Sequence, residues 1–519
     1  MTTTTSIIDG FRAAAQSFGG APAIVPGDGG GISFSAVDAE SDRIAAGLAA
    51  LGLRPGERVG LYCINSPEFV FCYLGILKAG GVVLPVNLLY SPPEVSFVLE
   101  DAGVRFLIFH PAMAEKVGKV RAGESCVERY IGTGDAEEAD LTLDVLKAAG
   151  GDVPAPIIDP AADLAAILYT SGTTGRPKGA MLTHHNLVCN TRSVVAALKL
   201  RAGKDCLLVV LPMFHSFAAT VGMLTPLLHG MRLAPVPAFD PALVTETIRV
   251  AGATVFLGVP SMYNVLLKLP AEARKAWHTI RYGVSGGAAM PVELMRQFED
   301  GFGIPVYEGD GPTECSPVTC VNPVGGVRKP ASVGLPVPDV EIEIFDDHGN
   351  RLPRGETGEI CVRGPNVMKG YWNLPEATAE TFFDDWLRTG DVGYRDSDGY
   401  VFMVDRKKDM IIVNGMNVYP RMVEEVLYQH PAIAEAAVVG EPHASHGEIP
   451  VAHVVTDQGV EVSSSGVRAW CRERLGQHEV PRKVLFHESL PKNAAGKILK
   501  RELRTAGEIE RGVDSRTPA

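Results

Sequence analysis

The sequence predicts an α/β protein. A large N-terminal domain of mostly parallel, helix-covered sheets carries a β-subdomain, and a small α+β C-terminal domain follows. Three observations carry this. The chain has 519 residues, whereas single hydrophobic cores stop growing at about 250–300, so more than one domain is required. Short apolar runs alternate with amphipathic stretches as far as Tyr307, the pattern of strands and helices in a parallel sheet. After about Gly334 short strands and turns take over, and after Arg406 a compact α+β pattern.

The elements follow in order. Residues 36–53 form an amphipathic period through Ile44, Leu48 and Leu51, closed by Gly52. Arg58 to Ile64 is an apolar, strand-like run, Glu68 to Lys78 is helical up to Gly80 and Gly81, and Val82 to Val86 is a further strand. Strands recur at Phe106–Phe109, Cys206–Leu211, Thr254–Val259, Tyr282–Val284 and Ile304–Tyr307. Val340–Phe345, Gly358–Arg363 and Tyr400–Val404, separated by turns such as Asp398-Gly399, predict an antiparallel subdomain. Beyond the charged stretch Asp405-Arg406-Lys407-Lys408-Asp409 the sequence predicts helices at Arg421–Gln429 and Ser465–Leu475 and strands at Ala432–Val439, Val451–Val455 and Lys483–His487. The boundary is therefore set at this stretch, giving domains 1–405 and 406–519. The tail after Ala506 reads as unstructured.

Composition removes several classes of function. Hydrophobic residues are 46% and charged residues 21% of the chain, which suits a globular protein rather than a disordered one. With 48 Lys and Arg against 61 Asp and Glu the net charge is −13, poorly suited to nonspecific nucleic-acid or anionic-membrane binding. The nine cysteines are scattered without a C-x-x-C pair, against a zinc site or disulfide framework and in keeping with a reducing cytoplasm. Met1 to Gly10 lacks the basic and apolar regions of a secretory signal. The apolar stretch from Cys206 to Phe239 is interrupted by Pro212, His215, Pro226, His229 and Arg232. It reads as strand, loop and helix, so no integral membrane segment is expected.

Chemistry concentrates in a few segments. The strand-like Ile167-Leu168-Tyr169 runs into Thr170-Ser171-Gly172-Thr173-Thr174-Gly175-Arg176-Pro177-Lys178-Gly179. Glycines let backbone N–H groups approach a phosphate, hydroxyls add donors, and Arg176 and Lys178 add charge. It is no Walker loop, because Lys178 follows Pro177 and precedes Gly179. A flexible surface turn is the bland alternative, and this density of hydroxyls, glycines and cations after a buried strand argues against it. A second cluster is Glu308-Gly309-Asp310-Gly311-Pro312-Thr313-Glu314. Glu314 suits Mg²⁺, which on ATP takes one or two carboxylates plus phosphate oxygens, and Thr313 can donate to a phosphate. In Trp386-Leu387-Arg388-Thr389-Gly390-Asp391, Asp391 can accept from both hydroxyls of a ribose.

Together and in this order, these segments resemble the adenylate-forming superfamily of acyl-CoA synthetases, luciferases and peptide-synthetase adenylation domains, over nearly the whole chain. Further matches are Leu211-Pro212-Met213-Phe214-His215-Ser216, Ser285-Gly286-Gly287-Ala288-Ala289, Gly355-Glu356-Thr357-Gly358-Glu359, the stretch from Asp405 to Asp409, and Pro491-Lys492-Asn493-Ala494-Ala495-Gly496-Lys497. The resemblance implies ATP, Mg²⁺ and coenzyme A as cofactor and co-substrates and a small-molecule carboxylic acid as substrate. It also implies a C-terminal domain that swings between two half-reactions. It assigns Thr170 to Lys178 to the phosphates, Gly286, Gly287 and Ala288, with the nearby Glu308 and Gly309, to the adenine side, Thr313 to the α-phosphate and Glu314 to the metal. Asp391 and Arg406 fall to the ribose, Lys497 to the reacting carboxylate and α-phosphate, Lys408 to the hinge and Gly415 to the path of the thiol arm. A homodimer is compatible with this reading.

Two positions depart from or refine the pattern. Asp310 stands where the family usually carries an aromatic residue stacked on adenine. Asp310 cannot stack, which leaves it as an acceptor for the adenine amino group and Tyr307 as a conceivable substitute ring. His215 stands where amino-acid-activating relatives carry an aspartate, which disfavours an α-amino acid and makes His215 a candidate gate between acyl pocket and thiol. Phe214, Phe217, Val221, Gly222 and Met223, with Ser316, Pro317 and Val318, are the candidate acyl pocket. They are apolar or small, which suits a medium- to long-chain fatty acid, with an aryl acid as the alternative. Transfer to a carrier-protein thiol and a non-catalytic acyl- or nucleotide-binding protein are the other readings.

Overall fold

The computed structural model describes residues 5–509 apart from 124, 171–175, 444, 457–459, 461 and 493–495. Two large sheets and a smaller antiparallel one make up the chain as far as Arg406, and a fourth sheet follows. The first has eight strands, in the order Gly370–Tyr371, Lys178–Thr183, Leu164–Thr170, Val82–Pro85, Arg58–Tyr62, Val104–Phe109, Arg129–Gly132 and Leu141–Thr142. It is parallel from Leu164–Thr170 onward, and the other two strands join it antiparallel. The second has nine strands, and its centre, from Val306–Asp310 through Tyr282–Ser285, Val255–Gly258, Cys206–Val209 and Arg232–Pro235 to Pro22–Ile24, is parallel. Buried aliphatic and aromatic side chains from both sheets and their covering helices merge into one core, from Ile7 and Phe11 to Leu387 and Val401. Burial on both faces explains why these strands read as continuous apolar runs.

The expected antiparallel subdomain is present, with Glu341–Phe345, Gly358–Arg363, Trp386–Arg395 and Val401–Arg406 paired antiparallel. The C-terminal sheet is built on a long hairpin, Ile433–His443 against Gly447–Thr456, with Lys483–Phe486 added in parallel. The helices Pro420–Tyr428 and Ser464–Arg472 bury Val423, Leu427, Val467 and Cys471 against it. No helix among the described residues is long and apolar enough to cross a membrane.

Several boundaries moved, for local reasons. Ser33 and Ser66 each cap a helix, accepting from Ala36 N and Phe69 N, so these helices start at Phe34 and Pro67. The strand expected at Ile304–Tyr307 runs instead from Val306 to Asp310. Gly303, left-handed at φ 67°, ends the preceding helix, and Asp310 pairs with Cys320. That shift puts Glu308, Gly309 and Asp310 on the strand end rather than on the loop beyond it. Residues after Ala506 were expected to lack structure, yet the last helix spans Lys500–Ile509. Its charge alternation and few apolar residues concealed it.

One buried amide fixes the loop that leaves Cys206–Val209. Asn65, 3% exposed, holds its Nδ2 at 3.1, 3.0 and 3.1 Å from the carbonyls of Val209, Leu211 and Val236, and its Oδ1 accepts from Met213 N at 2.7 Å. The loop carrying Phe214, His215 and Ser216 thus hangs on one side chain of the other sheet. Asn65→Ala strands these carbonyls and an N–H away from water and is expected to cost about 3 kcal/mol. The check is chemical denaturation of the purified variant, and a loss below about 0.5 kcal/mol contradicts the role.

Candidate active site

One cavity of about 1660 Å³ opens at the carboxyl ends of the parallel strands, between them and the C-terminal segment, where ligands of such sheets bind. It gathers most of the expected residues. Thr170, Lys178, His215, Phe217, Val221, Gly286, Gly287, Ala288, Glu308, Gly309, Asp310, Thr313, Glu314, Pro317, Val318, Asp391, Arg406, Lys408 and Lys497 all line it. Ser171, Gly172, Thr173, Thr174 and Gly175 lie outside the described residues.

The charged end is built from strand register. Asp391 pairs with Arg406 across two antiparallel strands, and Arg406 Nε sits 3.1 Å from Asp391 Oδ1. Burial raises the Asp391 carboxyl, opposed by Arg406 and Lys497. Asp310 is pushed up to about 6, first by burial and then by Asp391, with Arg406 and Lys497 pulling the other way. Lys497 is pulled down to about 8, first by the neighbouring Arg406 and then by burial. Two cations and two carboxylates therefore lie within electrostatic reach of one another at this end of the cavity, with Asp391 buried and the Arg406 side chain still 41% exposed.

Lys497 reaches this end because Gly496 lets the chain pass close to the sheet. Gly496 has φ 78°, and a Cβ there would stand 2.6 Å from Ser261 Oγ. Its carbonyl accepts from that same hydroxyl at 3.0 Å. Glycine is required here both for its backbone angle and for its lack of a side chain.

Glu314 faces the phosphate loop. Its Oε1 accepts from Thr170 Oγ1 at 3.3 Å and from Tyr371 OH at 2.9 Å, and Lys178 Nζ lies 5.2 Å from the Tyr371 ring centre. Thr313 Oγ1 is 3.0 Å from Ser216 Oγ. Among the described residues no group of three or more His, Cys, Asp and Glu could hold a metal by itself. A single carboxylate beside a phosphate-type loop fits a hydrated magnesium shared with a nucleotide, not a resident all-protein site. Glu308, 1% exposed, accepts from Met290 N at 2.9 Å through Oε1, while its buried Oε2 has no hydrogen-bond partner among the described residues. Burial holds this carboxyl up at about 7, against the pull of Arg421.

His215 is pushed down to about 4 by burial and then by Lys497, so it is neutral at pH 7. Its Nδ1 accepts from Phe217 N at 3.3 Å, which leaves the proton on Nε2. The same cavity is also lined by the apolar Val194, Leu198, Val221, Val318, Val321 and Val333. Phe217 caps, and Val221 lies within, a π-helical stretch, Ala218–Leu224, a conformation frequent at functional sites.

Some expected residues are placed elsewhere. Gly222 does not reach the cavity, because a Cβ there would meet Val209 Cγ2 at 3.0 Å, so it faces the sheet. Met223 is fully buried in the core. Ser316 is buried and donates to Asn366 O at 2.8 Å, serving the loop rather than the pocket. Phe214 lines a small side pocket of about 60 Å³ with Pro85, Val98 and Leu168. Tyr307 is no substitute ring: it packs edge-on against Tyr282 at 5.5 Å, and its hydroxyl accepts from Gly325 N. Gly415 sits at φ 80° in an exposed turn between Ile411–Val413 and Met416–Val418, outside the cavity. Tyr371, Asn65, Ser261 and Arg421 went unrecognised in the sequence. Tyr371, after Gly370, offered a weak aromatic signal in a turn-rich region, and the others offered none.

This site and fold define a nucleotide-dependent ligase of the adenylate-forming kind. The chain belongs to the AMP-binding enzyme family. The family's model matches residues 11–372 and that of the AMP-binding enzyme C-terminal domain matches residues 422–497. It is 37% identical over 501 residues to a long-chain-fatty-acid–CoA ligase of Bacillus subtilis (strain 168), covering 91% of this chain and 89% of the relative. It is equally 37% identical, over 477 residues, to a feruloyl-CoA synthase of Amycolatopsis sp, covering 92% and 94%. The crystal structure of ATP-bound MatB from Rhodopseudomonas palustris superposes with a TM-score of 0.88 at 34% identity, covering 97% of this chain and 99% of that one.

The Lys497 environment is directly measurable. Its pH-dependent acylation by acetic anhydride, followed by mass spectrometry of the full-length protein, is expected to be half-maximal near pH 8. A midpoint at the ordinary lysine value of about 10.5 contradicts the site as described.

Proposed function

We propose that the protein is an AMP-forming acid–thiol ligase that activates an apolar carboxylic acid, a medium- to long-chain fatty acid first, and transfers the acyl group to coenzyme A. The observation that carries this is the meeting of a cationic, carboxylate-lined floor with an uncharged apolar arm in one cavity. The acid's carboxylate and the triphosphate repel each other, and Lys497 and Arg406 offset that repulsion where they meet. Magnesium held by Glu314 and the phosphates supplies further charge neutralisation when bound. Thr170 and Lys178 contact the phosphates, and Asp391 accepts from the ribose hydroxyls. Asp310, at the end of the Val306–Asp310 strand and lining the cavity, is the acceptor for the adenine amino group. It also sits in the field of Asp391, Arg406 and Lys497.

In the first step a carboxylate oxygen attacks the α-phosphorus in line and pyrophosphate leaves, giving acyl-AMP. In the second, a thiolate displaces AMP from the acyl carbon. Neutral His215 supports an uncharged substrate body, since it offers no anion to an α-ammonium group. The division into residues 1–405 and 406–519, with Lys408 as pivot, accounts for Gly415 lying away from the cavity while Lys497 is in it: each segment serves one step. The nine free cysteines suit a reducing compartment.

The test is incubation with MgATP and a panel of fatty and aryl acids, with and without coenzyme A, following pyrophosphate, AMP and thioester. Acid-dependent pyrophosphate release that is greatest for fatty acids, with a CoA thioester as product, is expected. No release with any acid contradicts the enzyme reading, and release without a CoA thioester points to a carrier-protein thiol. Lys497→Ala is expected to slow adenylate formation at least about 100-fold, on the scale of losing an electrostatic group. Thioester formation from supplied acyl-adenylate should change far less, and equal losses in both steps contradict the assigned role.

A further inference from the structure

Arg421 opens the Pro420–Tyr428 helix beyond the proposed pivot, yet its bonds all run back to the N-terminal side of it. Its N–H donates to Asp405 Oδ2 at 2.8 Å, and its Nη1 donates to the Met403 carbonyl at 2.7 Å. Its Nη2 lies 3.7 Å from Glu308 Oε1 at the end of the Val306–Asp310 strand. Arg421 is 8% exposed and Glu308 1%, so both side chains are out of water. One turn further on, Glu425 Oε2 accepts from Val292 N at 3.4 Å, and Asn264 Nδ2 donates to Ala434 O at 3.2 Å. Ser261 Oγ also donates across this seam to Gly496 O at 3.0 Å, and Arg421 adds a guanidinium set against both a strand carbonyl, by a hydrogen bond, and a buried carboxylate, at ion-pair distance.

We infer that Arg421 is the positioning residue that docks the C-terminal segment for the adenylate-forming step, with Glu308 of the nucleotide-binding strand as its seat. This rests on the proposed rotation about Lys408. A guanidinium suits the task because its planar fork donates to the Met403 carbonyl through Nη1 while holding Nη2 at ion-pair distance, 3.7 Å, from Glu308. Rotation must break both contacts and leave Glu308 buried without its counter-charge, or bring water to it. The docked arrangement is thereby held until the chemistry at Lys497 is complete.

Two readouts on the full-length protein test this. The first compares Arg421→Met and Arg421→Lys with wild type in acid-dependent ATP–pyrophosphate exchange and in thioester formation from supplied acyl-adenylate. Exchange is expected to fall at least tenfold in Arg421→Met with thioester formation within about twofold of wild type, and Arg421→Lys to recover much of the exchange. Equal losses in both steps, as a merely structural role would give, overturn the assignment, as does unchanged exchange. The second is the rate of tryptic cleavage at residues 406–408 without substrates, expected to rise several-fold in Arg421→Met and less in Arg421→Lys. An unchanged rate overturns the docking role. This second readout needs no acid substrate, so it still decides the docking role if the wild type shows no exchange with any acid, a result that would count against the ligase reading alone.

Discussion

The site is arranged around positive charge held in a cavity beside its own counter-charges. Arg406 and Lys497 stand close enough that the first loosens the proton of the second, and Asp391 and Asp310 keep the pair from being prohibitive. Such a cluster is expensive to bury and would be a poor way to stabilise a fold. It makes sense as a preorganised seat for anions, whose charge completes it. The antiparallel register that sets Asp391 opposite Arg406, and the glycine that lets Lys497 approach past Ser261, are the structural means.

That arrangement also explains the division of labour along the cavity. Parallel strands of one sheet end together, so the segments after Cys206–Val209, Tyr282–Ser285 and Val306–Asp310 converge although they are far apart in the chain. Charge gathers where the C-terminal segment covers them. The apolar part of the wall comes from helix and strand faces already buried in the core.

Much of this was legible in the sequence, and the failures have physical causes. The strand–helix alternation and the antiparallel subdomain were readable because each depends on local pattern, whereas the grouping of Lys178, Glu314, Asp391, Arg406 and Lys497 followed only from the order of motifs that the chain shares with the adenylate-forming family. Gly222, Met223 and Ser316 were misplaced because sequence neighbours of a pocket residue point elsewhere once the backbone turns: Gly222 faces Val209, and Ser316 faces Asn366. Tyr307 looked available for stacking until the strand ran on to Asp310 and turned it toward Tyr282. Asn65 and Arg421 were invisible because their partners lie more than a hundred residues away or across the seam between segments, where no periodicity reports them.

The central claim is that a carboxylate oxygen of the substrate bonds to the α-phosphorus of ATP, and isotope transfer reads that bond. The acid that is most active in the panel is labelled with ¹⁸O in both carboxyl oxygens and turned over with MgATP and coenzyme A, and the nucleotide product is examined by mass spectrometry. Attack on the α-phosphorus followed by thiol displacement leaves one ¹⁸O in AMP and none in pyrophosphate. Label in inorganic phosphate with ADP as the nucleotide product would mean attack at the γ-phosphorus and would contradict the account.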